Sequence, residues 1–182
     1  MIIRSLIDRL TRPIEGPGKV FAIVFLVIFA GSMVLLFYLN SPVRELSAAA
    51  ARGEAVAQYI MGHKHLYGCR SCMVRQDYVR AIYWFRRAAE QGNSGAEFML
   101  GAIYRYGQGV EQNYEQAVYW YRRAAEQRDS GAEFILGISY RRGQGVEQNY
   151  GQAAYWYRRA AAQGHEGAQG NLNLMYRRGL ID

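Results

Sequence analysis

The feature that most constrains this chain is that it copies itself. Gly95-Ala96, Gly131-Ala132 and Gly167-Ala168 stand 36 residues apart, as do Trp84, Trp120 and Trp156. The phrase Gly-Gln-Gly-Val-Glu-Gln-Asn-Tyr from Gly107 to Tyr114 returns unchanged from Gly143 to Tyr150. A period between about 20 and 50 residues marks a stacked architecture, in which a unit buries its apolar face only against its neighbours. Within the unit, Ala96, Leu100, Tyr104 and Gly107 fall on one face of a first helix. Asn113 is placed to cap a second helix, along which Ala117, Trp120, Tyr121 and Ala124 keep helical spacing. Gly107 and Gly109 end the first helix and turn the chain back. The expected fold is all-α.

These positions resemble the Sel-1-like repeat family, a relative of the tetratricopeptide repeat. The resemblance rests on Ala96, Leu100-Gly101, Tyr104, Gly107, Gly109, Asn113, Ala117, Trp120 and Ala124-Ala125, and on the next unit from Ala132 to Ala161. It implies an α/α solenoid that binds protein partners, with the first helices lining its concave side. The array divides into a degenerate half repeat 41–55, repeats 56–94, 95–130 and 131–166, and a capping helix 167–182. The first full unit keeps Gly62, Gly68, Asp77, Ala81 and Trp84, but has His65 in the tyrosine slot and a longer turn. Ala49, Ala50 and Gly53 match Ala88, Ala89 and Gly92, so a helix opened by Pro42 and capped by Ser41 is expected to run to about Arg52. The last unit stops after Ala168, Leu172, Asn173, Tyr176 and Gly179. A terminal helix of this kind needs a face that tolerates water.

Ahead of the repeats, Val20 to Leu39 contains no charged residue and no Asn, Gln or His. As a helix it would span roughly 30 Å, the thickness of a bilayer's hydrocarbon core. It is longer than the apolar core of a cleaved signal peptide, which favours an uncleaved single transmembrane helix. Arg4, Arg9, Arg12 and Lys19 precede the run, against Arg44 and Arg52 shortly after it. Positive flanks stay inside, so the N-terminus is expected in the cytoplasm and the repeats outside the inner membrane, in the periplasm. Within 1–19, Ile2, Ile3, Leu6, Ile7 and Leu10 recur at helical spacing opposite arginines, as in a helix lying on a lipid bilayer.

Chemistry-bearing residues are sparse. Cys69 and Cys72 sit in the extended turn, and in an oxidising compartment a local disulfide is the plain expectation. Free thiols, an intermolecular bridge, and a metal or thiol-redox site using His63 or His65 are the competing readings. No catalytic residues, cofactor or metal site are expected. From Asn40 onward 18 basic face 13 acidic residues. Arg86-Arg87, Arg122-Arg123 and Arg158-Arg159 resemble a nucleic-acid stripe, but a solvated outer-helix face is the better reading, with no nucleic acid as partner.

The first helices offer a second row. Tyr59, Phe98 and Phe134 form one column and Leu66, Arg105, Arg141 and Arg177 another, both turned away from the packed face. Aromatic groups beside arginines suit an extended or helical peptide with acidic and apolar side chains. The expected function is a membrane-anchored scaffold or adaptor holding a membrane-associated protein partner, as subunit or regulator of an envelope complex. A glycan-binding accessory of an envelope enzyme is the alternative, and a thiol-redox protein using Cys69 and Cys72 is the third.

Overall fold

Asn113 shows why the helices begin where they do. Its side chain accepts a hydrogen bond from the backbone N–H of Gln116, satisfying a donor that the first helical turn leaves open. Asp77, Asn93, Asp129 and Asn149 do the same at their own helix starts. The first helix of the same repeat ends at Gly107, whose φ of 67° is left-handed, with its N–H bonded to the carbonyl of Ile103.

A computed structural model describes residues 42–182. The expected segments 1–19 and 20–39 lie outside the described residues. Among the described residues no helix is long and apolar enough to cross a membrane. The helices are α1 (Pro42–Ala51), α2 (Ala55–Tyr67), α3 (Tyr78–Glu90), α4 (Ser94–Tyr106), α5 (Tyr114–Glu126), α6 (Ser130–Arg142), α7 (Tyr150–Ala162) and α8 (Glu166–Arg177). From Glu45 onward they form one compact unit. Helices α2 and α3, α4 and α5, and α6 and α7 pair as hairpins, each stacked on the next, and α8 packs on α7. The chain is an α/α solenoid.

Packing inside a hairpin depends on one glycine. A Cβ on Gly101 would lie 2.8 Å from the Tyr121 ring, and one on Gly137 would lie 2.5 Å from Tyr157. Gly62 faces Phe85 in the same way. The bare backbone lets a whole ring from the second helix lie against the first, and all three rings are buried. Burying a ring such as Phe85 contributes about 2–3 kcal/mol. Leu100 and Leu136, fully buried one residue earlier, fill the space beside each ring.

Neighbouring hairpins are joined through alanines. Ala88 and Ala89, then Ala124 and Ala125, are buried where the second helix of one unit meets the first helix of the next. The helix α1 supplies the same surface to the first hairpin, with Ala50 fully buried against Ala57 and Met61 and Trp84 packed alongside. At the far end Ala168, Leu172 and Met175 of α8 are buried on α7, and Leu180 and Ile181 fold back onto that cluster.

Candidate functional site

Arg105 and Arg141 hold equivalent places near the ends of α4 and α6, each beside the buried tyrosine of the paired second helix. Arg141 Nε donates to the Tyr157 hydroxyl at 3.4 Å. The Arg105 guanidinium interacts electrostatically with Tyr121 and lies 5.7 Å from the Tyr106 ring centre. Burial pushes the Tyr121 and Tyr157 phenols above their ordinary range, and the neighbouring cation partly opposes it. Both arginines are half-buried. Arg141 therefore also engages the hydroxyl of a buried tyrosine, and Arg105 lies near another, although the sequence column places both turned away from the packed face.

The first repeat carries the opposite pairing. Leu66 stands where Arg105 stands, and Phe85 where Tyr121 stands. Leu66 is 1% exposed and belongs to the core, so it does not line a groove as the sequence column predicted. With no phenol to cover, this position has no use for a cation. Arg177, at the equivalent place on α8, is exposed, and among the described residues no hydrogen bond or ion pair engages it.

Tyr59, Phe98 and Phe134 are half-buried and bridge the repeats. Each ring reaches the glycine that opens the next first helix. A Cβ on Gly95, Gly131 or Gly167 would lie 3.0, 3.2 or 3.3 Å from Tyr59, Phe98 or Phe134 respectively. The recurring Gly-Ala pairs are explained by this contact. Phe134 also stacks on His165 at 4.3 Å, and the His165 ring caps α8 by accepting from the Ala168 N–H.

The paired arginines of the second helices are not a merely solvated face. Arg123 reaches the carboxylate of Glu97 at 2.8 Å and the carbonyl of Ala89 at 3.1 Å. Gln127 donates to the other oxygen of Glu97 at 2.7 Å. Arg159, Glu133, Ala125 and Gln163 repeat the arrangement one unit on. Burial holds the Glu97 carboxyl above its usual range, with Arg123 and Gln127 pulling it back. In the first repeat Gln58 takes the place of the glutamate. It is fully buried, accepts from Gln91 at 2.8 Å and donates to the Ala50 carbonyl at 3.2 Å. One neutral amide thus does the work of a carboxylate and a cation. The first arginine of each pair is also engaged: Arg86, Arg122 and Arg158 donate to the hydroxyls of Tyr104, Tyr140 and Tyr176 on the next first helix. Sequence reasoning missed Glu97 and Glu133. The signal was a charged residue directly after the invariant alanine of a buried helix, repeated at the same spacing as Gln127 and Gln163.

Cys69 and Cys72 are joined in a disulfide in the long turn between α2 and α3. Backbone bonds between Cys69 and Val74 close the turn around it. His65 fills the tyrosine slot and is buried; burial, with Arg80, holds its imidazole below the ordinary value. His63 lies edge-on to Tyr59 and Phe85. Among the described residues no cluster of three or more His, Cys, Asp or Glu is arranged to hold a metal ion.

The Sel1 repeat family matches residues 55–93, 94–129 and 130–165, each stretch opening one residue ahead of the boundary read from the periodicity. Among solved structures, the chain is similar to c5321, a protective antigen of uropathogenic Escherichia coli with an SLR fold. Identity is 38% and the TM-score 0.73, over 77% of this chain and 29% of that one. A Sel1 repeat protein from Oxalobacter formigenes is 35% identical with a TM-score of 0.65, over 71% of this chain and 96% of that one. Helicobacter pylori cysteine rich protein B shares the fold, at 24% identity and a TM-score of 0.55. A segment of 64 residues, 35% of this chain, is 34% identical to 9% of HRD3A, an ERAD-associated E3 ubiquitin-protein ligase component of Arabidopsis thaliana. The chain therefore spans a small part of the length of HRD3A and under a third of c5321. Sel1 repeats act in protein–protein interaction, and with three of them covering more than half of its residues this chain belongs to the Sel1 repeat family.

Proposed function

We propose that the chain is a membrane-anchored scaffold that grips a protein partner along its first helices. The repeats lie outside the cytoplasm and serve an envelope membrane complex as subunit or regulator. The observation that carries this reading is Arg177: it shares the register of Arg105 and Arg141, is exposed, and has no hydrogen bond or ion pair among the described residues. A guanidinium fork there binds a partner's carboxylate through paired hydrogen bonds. Phe98 and Phe134, which are half-buried, offer apolar contact along the same helices. The anchor is supported by the apolar run Val20 to Leu39, which ends just before Pro42 opens α1.

The test is a pull-down of the full chain from detergent-solubilised membranes, with captured proteins identified by mass spectrometry. Arg177→Glu is expected to lose the captured partner while the melting temperature stays within about 1–2 °C of the wild type. Capture by Arg177→Glu equal to the wild type would refute the first-helix site. A reporter active only in the cytoplasm, fused after Asp182, is expected to be silent; strong activity would reverse the orientation.

A further inference from the structure

The two sulfurs of the turn do not share one environment. Cys72 Sγ accepts a hydrogen bond from the ammonium of Lys64 at 2.8 Å, in the last turn of α2. Cys69 Sγ receives the backbone N–H of Cys72 at 3.2 Å and lies 3.4 Å from the Ser71 hydroxyl, with no cation on it. Access differs too. Cys69 lines a surface cavity of about 580 Å³ together with Tyr67, Arg70, Met73 and Arg75, and Cys72 does not line it. The side with the opening is Cys69, and the side with the counter-ion is Cys72.

We propose that this disulfide is a thiol–disulfide exchange site with a fixed direction: an incoming thiolate enters the cavity and bonds to Cys69, and Cys72 leaves as a thiolate paired with Lys64. In the first step the new S–S bond forms between the reductant's sulfur and Cys69. The Cys69–Cys72 bond breaks, and its electron pair moves to Cys72 Sγ beside the ammonium. A leaving thiol whose anion is stabilised departs faster, so the cation sets the direction as well as the rate. In the second step another thiolate of the reductant attacks the mixed disulfide, forms the reductant's own disulfide and releases Cys69 as a thiolate. Two thiols are oxidised and the protein disulfide takes up two electrons; the protons shed by the reductant end on the cysteines or in solvent. Arg70 and Arg75 at the cavity favour a reductant whose thiol carries a neighbouring negative charge. This goes beyond the scaffold reading and does not depend on the partner site: the turn lies at the far end of α2 from the alanine junctions and uses none of the arginine row.

The experiment uses the full chain in detergent, without oxygen, with 2-mercaptoethanesulfonate as the attacking monothiol. Samples are quenched, alkylated with iodoacetamide and mapped by peptide mass spectrometry. The mixed disulfide is expected on Cys69 and the alkyl group on Cys72. Lys64→Met is expected to slow loss of the disulfide by about tenfold. Mapping in the wild type needs no variant to fold, so the direction is tested independently of the lysine. A mixed disulfide found mainly on Cys72, or evenly on both, overturns the proposal, as does a Lys64→Met chain that exchanges at the wild-type rate.

Discussion

Arg123→Ala isolates the buried ion pair inside the second hairpin. Glu97 keeps 1% of its side-chain surface in water and Arg123 keeps 34%, so the loss falls mainly on the carboxylate. Removing one partner of a buried pair costs about 3–5 kcal/mol. The arginine's exposure means water already screens part of the attraction, which lowers the expected cost to about 2–3 kcal/mol. At this chain length that corresponds to a fall in Tm of about 5–10 °C. Glu97→Gln is the contrasting change. An amide at this place is what Gln58 already is, and Arg123 turned to solvent loses little, so about 1 kcal/mol or less is expected. The pH dependence separates the two. The Glu97 carboxyl is already held above its usual range by burial, and without Arg123 it rises further. A group whose folded pKa is raised gives full stability below its unfolded value, about 4.3, and loses it as pH rises through the folded value. The Arg123→Ala deficit is therefore largest near neutrality and shrinks towards about pH 4.5. Urea melts of the full chain in detergent, followed by helical circular dichroism at both pH values, measure this. A deficit that stays constant or grows with acid, or a Glu97→Gln loss equal to that of Arg123→Ala, would refute the reasoning.

Three further outcomes follow from the packing. Gly101→Ala puts a methyl 2.8 Å from the Tyr121 ring, and overpacking of this kind is expected to cost about 1–3 kcal/mol in urea melts. Arg128 has a φ of 65° where the other repeats place Gly92 and Gly164, so Arg128→Gly is expected to stabilise by about 0.5–1 kcal/mol in the same assay. Arg141→Leu alone uncovers the Tyr157 hydroxyl and is expected to cost about 1–3 kcal/mol. Adding Tyr157→Phe is expected to recover most of it, because Leu66 with Phe85 is the same pair in the first repeat; a double change no better than the single one would break the link between the two positions.

The regular parts of the fold were legible because each depends on a local rule. Asn113 caps, Gly107 turns left-handed and Ala117, Tyr121 and Ala124 share a face, and all of that is written within a few residues of sequence. The helix at Pro42–Ala51 was legible for a different reason: Ala49 and Ala50 copy the alanines that join later units. Leu66 was misplaced because spacing alone assigns a position to a face and says nothing about what covers that face. Arg105 and Leu66 share a register, yet the ring opposite them differs by one hydroxyl, and that atom decides whether a cation or a hydrocarbon belongs there. The Glu97–Arg123 joint was illegible for a related reason. Its members are 26 residues apart in sequence and meet only after the hairpin has closed.

The repeats also act as an internal substitution series, and the series bears on where a ligand can sit. Where a cation recurs because a neighbour needs it, recurrence says little about binding. Arg123 and Arg159 serve buried carboxylates, Arg122 and Arg158 serve tyrosine hydroxyls on the next helix, and Arg141 serves Tyr157. In the first unit Gln58 stands in for the glutamate while Arg87 keeps the arginine position, and Leu66 with Phe85 replaces the Arg141 and Tyr157 pair. Among the described residues Arg177 has no such neighbour, and it is exposed. Holding a long side chain at one place costs rotamer entropy that an internal contact normally offsets. Without that contact, its position at the end of the Arg105 and Arg141 row is where a charge reversal separates binding from packing.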